Sequence, residues 1–154
     1  LAIETSGHGA LSENYFLDDG AYMAVKLLIA LAKAARENKV LASFIEKLEK
    51  GFEEREYRFK IQGDDFKSYG KDALNTFEER AKARGYRIEP NSYEGIRITF
   101  DTDEVKGWLL LRMSLHDPQM PLNIEGVRAG DCDRLFDIVL ELLDGFDRLV
   151  IPER

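Results

Sequence analysis

The chain has 154 residues, enough for one domain or one domain with part of another; 44% are hydrophobic and 33% charged. A formal charge of −7 argues against a general nucleic-acid or anionic-membrane surface, which needs clustered Lys and Arg. One cysteine, Cys132, excludes an internal disulfide framework and fits a reducing cytoplasmic setting. No apolar run approaches the roughly 18 residues of a bilayer span, and no signal peptide is visible.

The opening "LAIETSGHG" has no initiator methionine and begins in what reads as a strand, so the chain is expected to be a piece of a longer protein. "DDGAYMAVKLLIALAKAARENK" then reads as a helix capped by Asp18 or Asp19, mostly apolar around its faces. Leu41, Phe44, Ile45 and Leu48 fall at helical spacing, with Gly51 as a stop. Then the period changes. Tyr57, Phe59 and Ile61 alternate with Arg58 and Lys60 as in a half-buried strand. Ala73, Phe77 and Ala81 give a third helix ending at Gly85.

Ile96, Ile98 and Phe100 alternate with Arg97 and Thr99 in a further strand. "GWLLLRM" is apolar on both faces, the pattern of a central strand, and "PLNIEGV" is a shorter one. Leu135, Ile138, Val139, Leu142, Leu143 and Phe146 form one wide helical stripe. The expected boundary lies near Gly51, with residues 1–50 a helical tail of an α/β domain and 51–154 a separate α+β domain. Short loops favour antiparallel pairing, with both helices of that domain on one face of the sheet.

Two loops carry hydrogen-bonding groups. In "WLLLRMSLHDPQMPLNIEG" an apolar strand ends in Arg112, Ser114, His116 and Asp117, followed by two prolines, Pro118 and Pro121. A guanidinium at a strand end offers a planar fork of donors that suits two phosphate oxygens. Ser114 adds a hydroxyl, and the turn at Leu115 to Asp117 can present backbone amides to an anion. The plainer alternative, of equal weight on these residues alone, is an arginine paired with Asp117 on a surface loop.

The second loop is "ETSGHGALSEN", residues 4 to 14. Glu4 can accept from a pair of sugar hydroxyls, Ser6 can donate or accept, Gly7 admits a ligand to the backbone, and His8 can do acid–base chemistry near neutral pH. Composition alone favours a plainer reading, a polar connection between a strand and a capped helix.

Together, "ETSGH", then "FLDDGAY" opening a helix, then far downstream "RMSLHDP", resemble the C-terminal end of an α-D-phosphohexomutase, most closely the bacterial phosphomannomutase/phosphoglucomutase branch. The first motif is similar to that family's Gly-Glu-x-Ser-Gly-His sugar loop in its third domain. The last is similar to its fourth-domain phosphate loop, usually Arg-x-Ser-Gly/Asn-Thr-Glu/Thr-Pro. The resemblance implies a fourth domain of TATA-binding-protein-like architecture. It implies that Glu4 and Ser6 bind sugar hydroxyls, that His8 sits at the reacting end, and that Arg112 and Ser114 hold the phosphate not being transferred. Thr5 stands at a variable position, Leu115 and His116 replace Gly/Asn and Thr, and Asp117 stands where Glu is common. His116 can substitute for the missing hydroxyl donor through its ring.

The activity implied is interconversion of hexose 1-phosphate and hexose 6-phosphate through hexose 1,6-bisphosphate and an enzyme phosphoserine. Magnesium, held by a second-domain aspartate loop, supports the transfer. No serine here sits in the family's Thr-x-Ser-His-Asn-Pro setting. "GDCDR", residues 130 to 134, imitates the magnesium loop Asp-Gly-Asp-x-Asp-Arg but lacks its first aspartate and follows the sugar loop where the family has it before. Asp131 reads instead as a helix cap, and no metal is expected on this segment. The expected partners are hexose phosphates and the upstream domains of the same chain, without nucleic acid or membrane. A phosphoglucosamine mutase, or a non-enzymatic binding module of similar fold, is the alternative.

Overall fold

The computed structural model describes residues 1–3, 8–48 and 51–153, which form two compact units, Leu1–Glu49 and Lys50–Arg154. In the first, β1 (Ala2–Ile3) pairs antiparallel with β2 (Gly9–Ala10). α1 (Gly20–Arg36) follows, and of the two expected caps Asp19 is the one used, accepting from the Tyr22 amide at 3.0 Å. Its apolar residues are largely unburied, with Val25, Leu28 and Ile29 all exposed and Ala34 buried.

The helix expected over Leu41 to Leu48 does not form. Leu41–Phe44 is one 3₁₀ turn followed by turns, and the Ser43 hydroxyl bonds back to the Val40 carbonyl at 2.7 Å. A helix this short gains few bonds after a costly first turn, and here its apolar side chains are exposed, so no packing supports it.

The second unit is an α+β domain. β3 (Glu53–Ile61) leads through α2 (Phe66–Ala83) to the far edge strand β4 (Arg87–Ile88). The chain then returns as a meander, β5 (Gly95–Asp101), β6 (Lys106–Arg112) and β7 (Gln119–Gly126), until β7 pairs with β3. After α3 (Asp131–Leu142), β8 (Leu149–Val150) closes the other edge. The six strands lie in the order β4-β5-β6-β7-β3-β8, with every neighbouring pair antiparallel.

Alternation decides which face the helices cover. Tyr57, Phe59 and Ile61 of β3, Leu109 and Leu111 of β6, and Met120, Leu122 and Ile124 of β7 are buried. They form one core with Ala73 and Phe77 of α2 and Leu135, Phe136 and Val139 of α3. Phe136 sits against the Tyr57 ring at 4.2 Å between centroids. Arg80 fastens the helices together, donating to the carbonyls of Leu142 and Asp144 at 2.9 and 2.8 Å.

β6 is central, as its pattern suggested, but its second face is only half-buried. There Trp108 is covered by the Arg97 guanidinium 4.1 Å from its ring. The double-sided apolar pattern thus reflects a cross-strand stack and not a second helical layer.

Asp131 is not the cap of α3. Gly130 takes that position at φ 81°, and Asp131, the first helical residue, turns its carboxylate back on the preceding loop. There it is fully buried and accepts from the Arg128 amide (2.9 Å), the Arg128 side chain and Arg134 Nη1 (3.1 Å). Burial pushes the carboxyl up, but the Arg128 bonds outweigh it and hold the pKa below the ordinary value. No helix among the described residues is long and apolar enough to cross a membrane.

Candidate phosphate-binding loop

β6 ends at Arg112, whose Cα partner across the sheet is Gly95 at the start of β5. A β-carbon on Gly95 would lie 2.3 Å from the Leu111 carbonyl oxygen and 2.9 Å from Arg112 Cα, so only glycine allows this approach. By strand alternation Arg112 shares the open face of the sheet with Trp108 and Leu110, opposite the buried Leu109 and Leu111. It is half-buried and makes no ion pair or side-chain hydrogen bond among the described residues. The pairing with Asp117 does not form: Asp117 Oδ2 instead lies 3.4 Å from Gln119 Nε2.

The loop from Met113 to Pro118 is short and tied at both ends. The Ser114 amide donates to the Gln119 carbonyl at 3.0 Å, Gln119 donates to the Asp117 carbonyl at 2.8 Å, and the Ile61 amide donates to the Pro118 carbonyl at 2.8 Å. Inside it, the Asp117 amide donates to Ser114 Oγ at 3.1 Å. That bond uses an acceptor lone pair and leaves the hydroxyl proton for another partner. The amides of Leu115 and His116 make no hydrogen bond among the described residues, and both side chains are exposed. Met113 points the other way, into the core margin, where it meets Gly70 of α2.

One loop therefore brings together Arg112, Ser114 and His116, with two uncommitted amides beside them. His8 belongs to the first unit, where it is exposed next to β2. Glu4 and Ser6 lie outside the described residues. Sequence reasoning passed over Gly95, Gly70 and Met113, the groups that hold the loop. A glycine inside each regular element was the available signal, since it marks close approach.

A cavity of about 360 Å³ lies elsewhere, beside Tyr86, Thr99 and Val105 at the opposite end of β5 and β6. Among the described residues no cluster of His, Cys, Asp or Glu is arranged to hold a metal ion. In "GDCDR" both oxygens of Asp131 are taken by arginines.

No family model matches the chain. A curated protein from Methanocella arvoryzae, described as a probable phosphoglucosamine mutase, is 27% identical over 133 residues, which is 86% of this chain and 27% of that protein. A crystal structure of a phosphoglucomutase/phosphomannomutase family protein from Burkholderia thailandensis superposes with a TM-score of 0.67. That match covers 99% of this chain and 30% of the other, at 21% identity, and carries the fold. The chain is thus similar in sequence to one phosphohexomutase and in fold to another. It spans about a quarter of the length of its curated phosphohexomutase relative.

Proposed function

We propose that this chain is the C-terminal substrate-binding part of a phosphohexomutase that interconverts hexose 1-phosphate and hexose 6-phosphate through a bisphosphate and an enzyme phosphoserine. In this reading residues 1–50 end the third, sugar-binding domain, and 51–154 are the fourth domain, which grips the phosphate not being transferred. The observation that carries it is the 112–118 loop. A guanidinium with no ion pair or side-chain hydrogen bond among the described residues, a hydroxyl with a proton to donate, and two amides unengaged among those residues gather on a tethered turn, in a chain similar to phosphohexomutases.

Each group has a role in the proposed mechanism. Arg112 takes two phosphate oxygens through its fork, and Ser114 and the turn amides take the rest. The tethers at Ser114, Gln119 and Pro118 hold these donors in place before the ligand arrives, so little ordering remains at binding. Glu4 and Ser6 would orient the sugar through its hydroxyls, and His8 would act at the reacting end. Magnesium, held by another domain, would supply charge stabilisation at the transferring phosphoryl group. With no phosphoserine motif in this sequence, the chain alone is expected to be inactive.

A second reading within the superfamily is a phosphoglucosamine mutase, favoured by the description of the curated relative. Kinetics of the full-length parent on glucose, mannose and glucosamine phosphates separate the two. The test of the binding role is a titration of this chain with glucose 1,6-bisphosphate, followed by amide NMR signals, beside a titration with an oligonucleotide. Shifts confined to 112–118 with the bisphosphate support the reading. Shifts with the oligonucleotide alone favour a non-enzymatic binding module. Turnover of glucose 1-phosphate by the purified chain would overturn the expected inactivity.

A further inference from the structure

We propose that Lys60 is a second cation of the phosphate site, acting from β3 across the sheet from Arg112. This rests on the reading of the 112–118 loop as an oxyanion grip. Two observations place it. Phe59 and Ile61 are buried in the core, so Lys60 projects from the open face that also carries Arg112. Its Cα partner is Gln119, and the Ser114 amide bonds Gln119 from the other side. Ser114 and Lys60 therefore flank one residue, roughly 10 Å apart at two strand spacings. The four-carbon stem of lysine covers part of that width, and an anion held at Ser114 spans the rest.

Availability singles it out among the open-face cations. Arg58 is engaged with Glu56 (Nη2 to Oε1, 2.7 Å), Arg97 lies over Trp108, and Lys106 is paired with Asp101 at 2.8 Å. Lys60 is exposed and has no ion pair among the described residues. The facing carboxylates are Glu56, already held by Arg58, and Asp117, beside Gln119. A phosphate monoester is a dianion above its second pKa of about 6, so Arg112 alone neutralises half of it. A second positive charge at the rim favours the dianion over the monoanion.

The test titrates the 154-residue chain with inorganic phosphate and with glucose 6-phosphate at constant ionic strength, reading the Ser114–Asp117 amide signals. Lys60→Gln should raise the dissociation constant by roughly 1.5- to fivefold, the range for an exposed cation. It should also flatten the gain in affinity between pH 5.5 and 7.5 (about the second phosphate pKa). Lys60→Arg should keep both, and Lys71→Gln, on α2 and so on the helical side of the sheet, should change neither. Unaltered binding by Lys60→Gln overturns the proposal, as does an equal loss in Lys71→Gln. Absence of any loop shift in the unsubstituted chain would instead overturn the oxyanion-grip reading on which it stands.

Discussion

Met113 lies against Gly70: a β-carbon added there would fall 2.2 Å from the methionine sulfur and 2.7 Å from its terminal methyl. Glycine inside a helix costs about 1 kcal/mol relative to alanine, yet α2 carries one where the residue between Arg112 and Ser114 must seat. Gly70→Ala is expected to leave overall stability within about 1 kcal/mol, because the propensity gain offsets the collision with Met113. The same change should shift the 113–117 amide signals and weaken phosphate binding. Restoring space with Met113→Ala in that background should move the signals back. Thermal melting beside amide NMR checks this, and unmoved loop signals in Gly70→Ala would show that the thioether absorbs the collision by itself.

If Arg112 grips the phosphate as proposed, Arg112→Ala in the full-length parent should lower kcat/KM by about tenfold or more, since charge-assisted bonds are worth roughly 1.5–3 kcal/mol each. Arg112→Lys should recover part of the loss, because a point charge does not reproduce the fork. Neither change removes an ion pair or side-chain hydrogen bond among the described residues, so the melting temperature should stay close to that of the parent. Steady-state kinetics with a melt of each variant decides; a folded Arg112→Ala enzyme with unchanged kinetics reduces the loop to a turn.

Gly95→Ala meets backbone rather than a flexible side chain, 2.3 Å from the Leu111 carbonyl oxygen. β5 and β6 must part at that point, at an expected cost of roughly 1–3 kcal/mol. The displaced segment is Arg112 itself, so phosphate affinity should fall with stability, unlike the Gly70→Ala case. Urea unfolding together with a phosphate titration checks both.

Much of this architecture is readable from period and punctuation. Tyr57, Phe59 and Ile61 marked β3, and Leu135, Val139 and Leu142 marked α3, because a face packed on one core leaves a period-2 or period-3.6 trace. Three features left no such trace. β4 and β8 are two residues each, too short for any alternation. The Leu41 to Leu48 spacing imitated a helix, but its apolar side chains are exposed. Asp131 looked like a cap because the residue type suits one, whereas the cap is a left-handed glycine and the carboxylate serves two arginines. In the candidate site Arg112 and Ser114 were legible from side-chain chemistry. Their supports were not, since the close approaches at Gly70 and Gly95 are long-range facts of register.

Asp131 gives the domain a pH signature. Its pKa is lower in the fold than in the unfolded chain, so it contributes stability that is fully present above the unfolded value of about 3.9 and is lost as pH falls through the folded value. Asp131→Asn should remove roughly 1.5–3 kcal/mol at neutral pH, and less in acid. The half-exposed arginines left behind can return to water, which limits the loss. Stability measured by urea unfolding at pH 7 and near pH 3 checks this; an equal difference at both would mean that packing and not charge is at stake.

Trp108 is the sole tryptophan of the sequence, and it lies in the middle of the sheet beneath the Arg97 guanidinium. The protein therefore carries a built-in optical probe on one of its two units. Its emission reports when the cation–π stack on β6 opens to water, and nothing in the Leu1–Glu49 unit contributes an indole. Circular dichroism, by contrast, counts the 17 residues of α1 along with α2 and α3. Recording both during one thermal ramp distinguishes two units that melt together from a helical unit that unfolds while the sheet still holds.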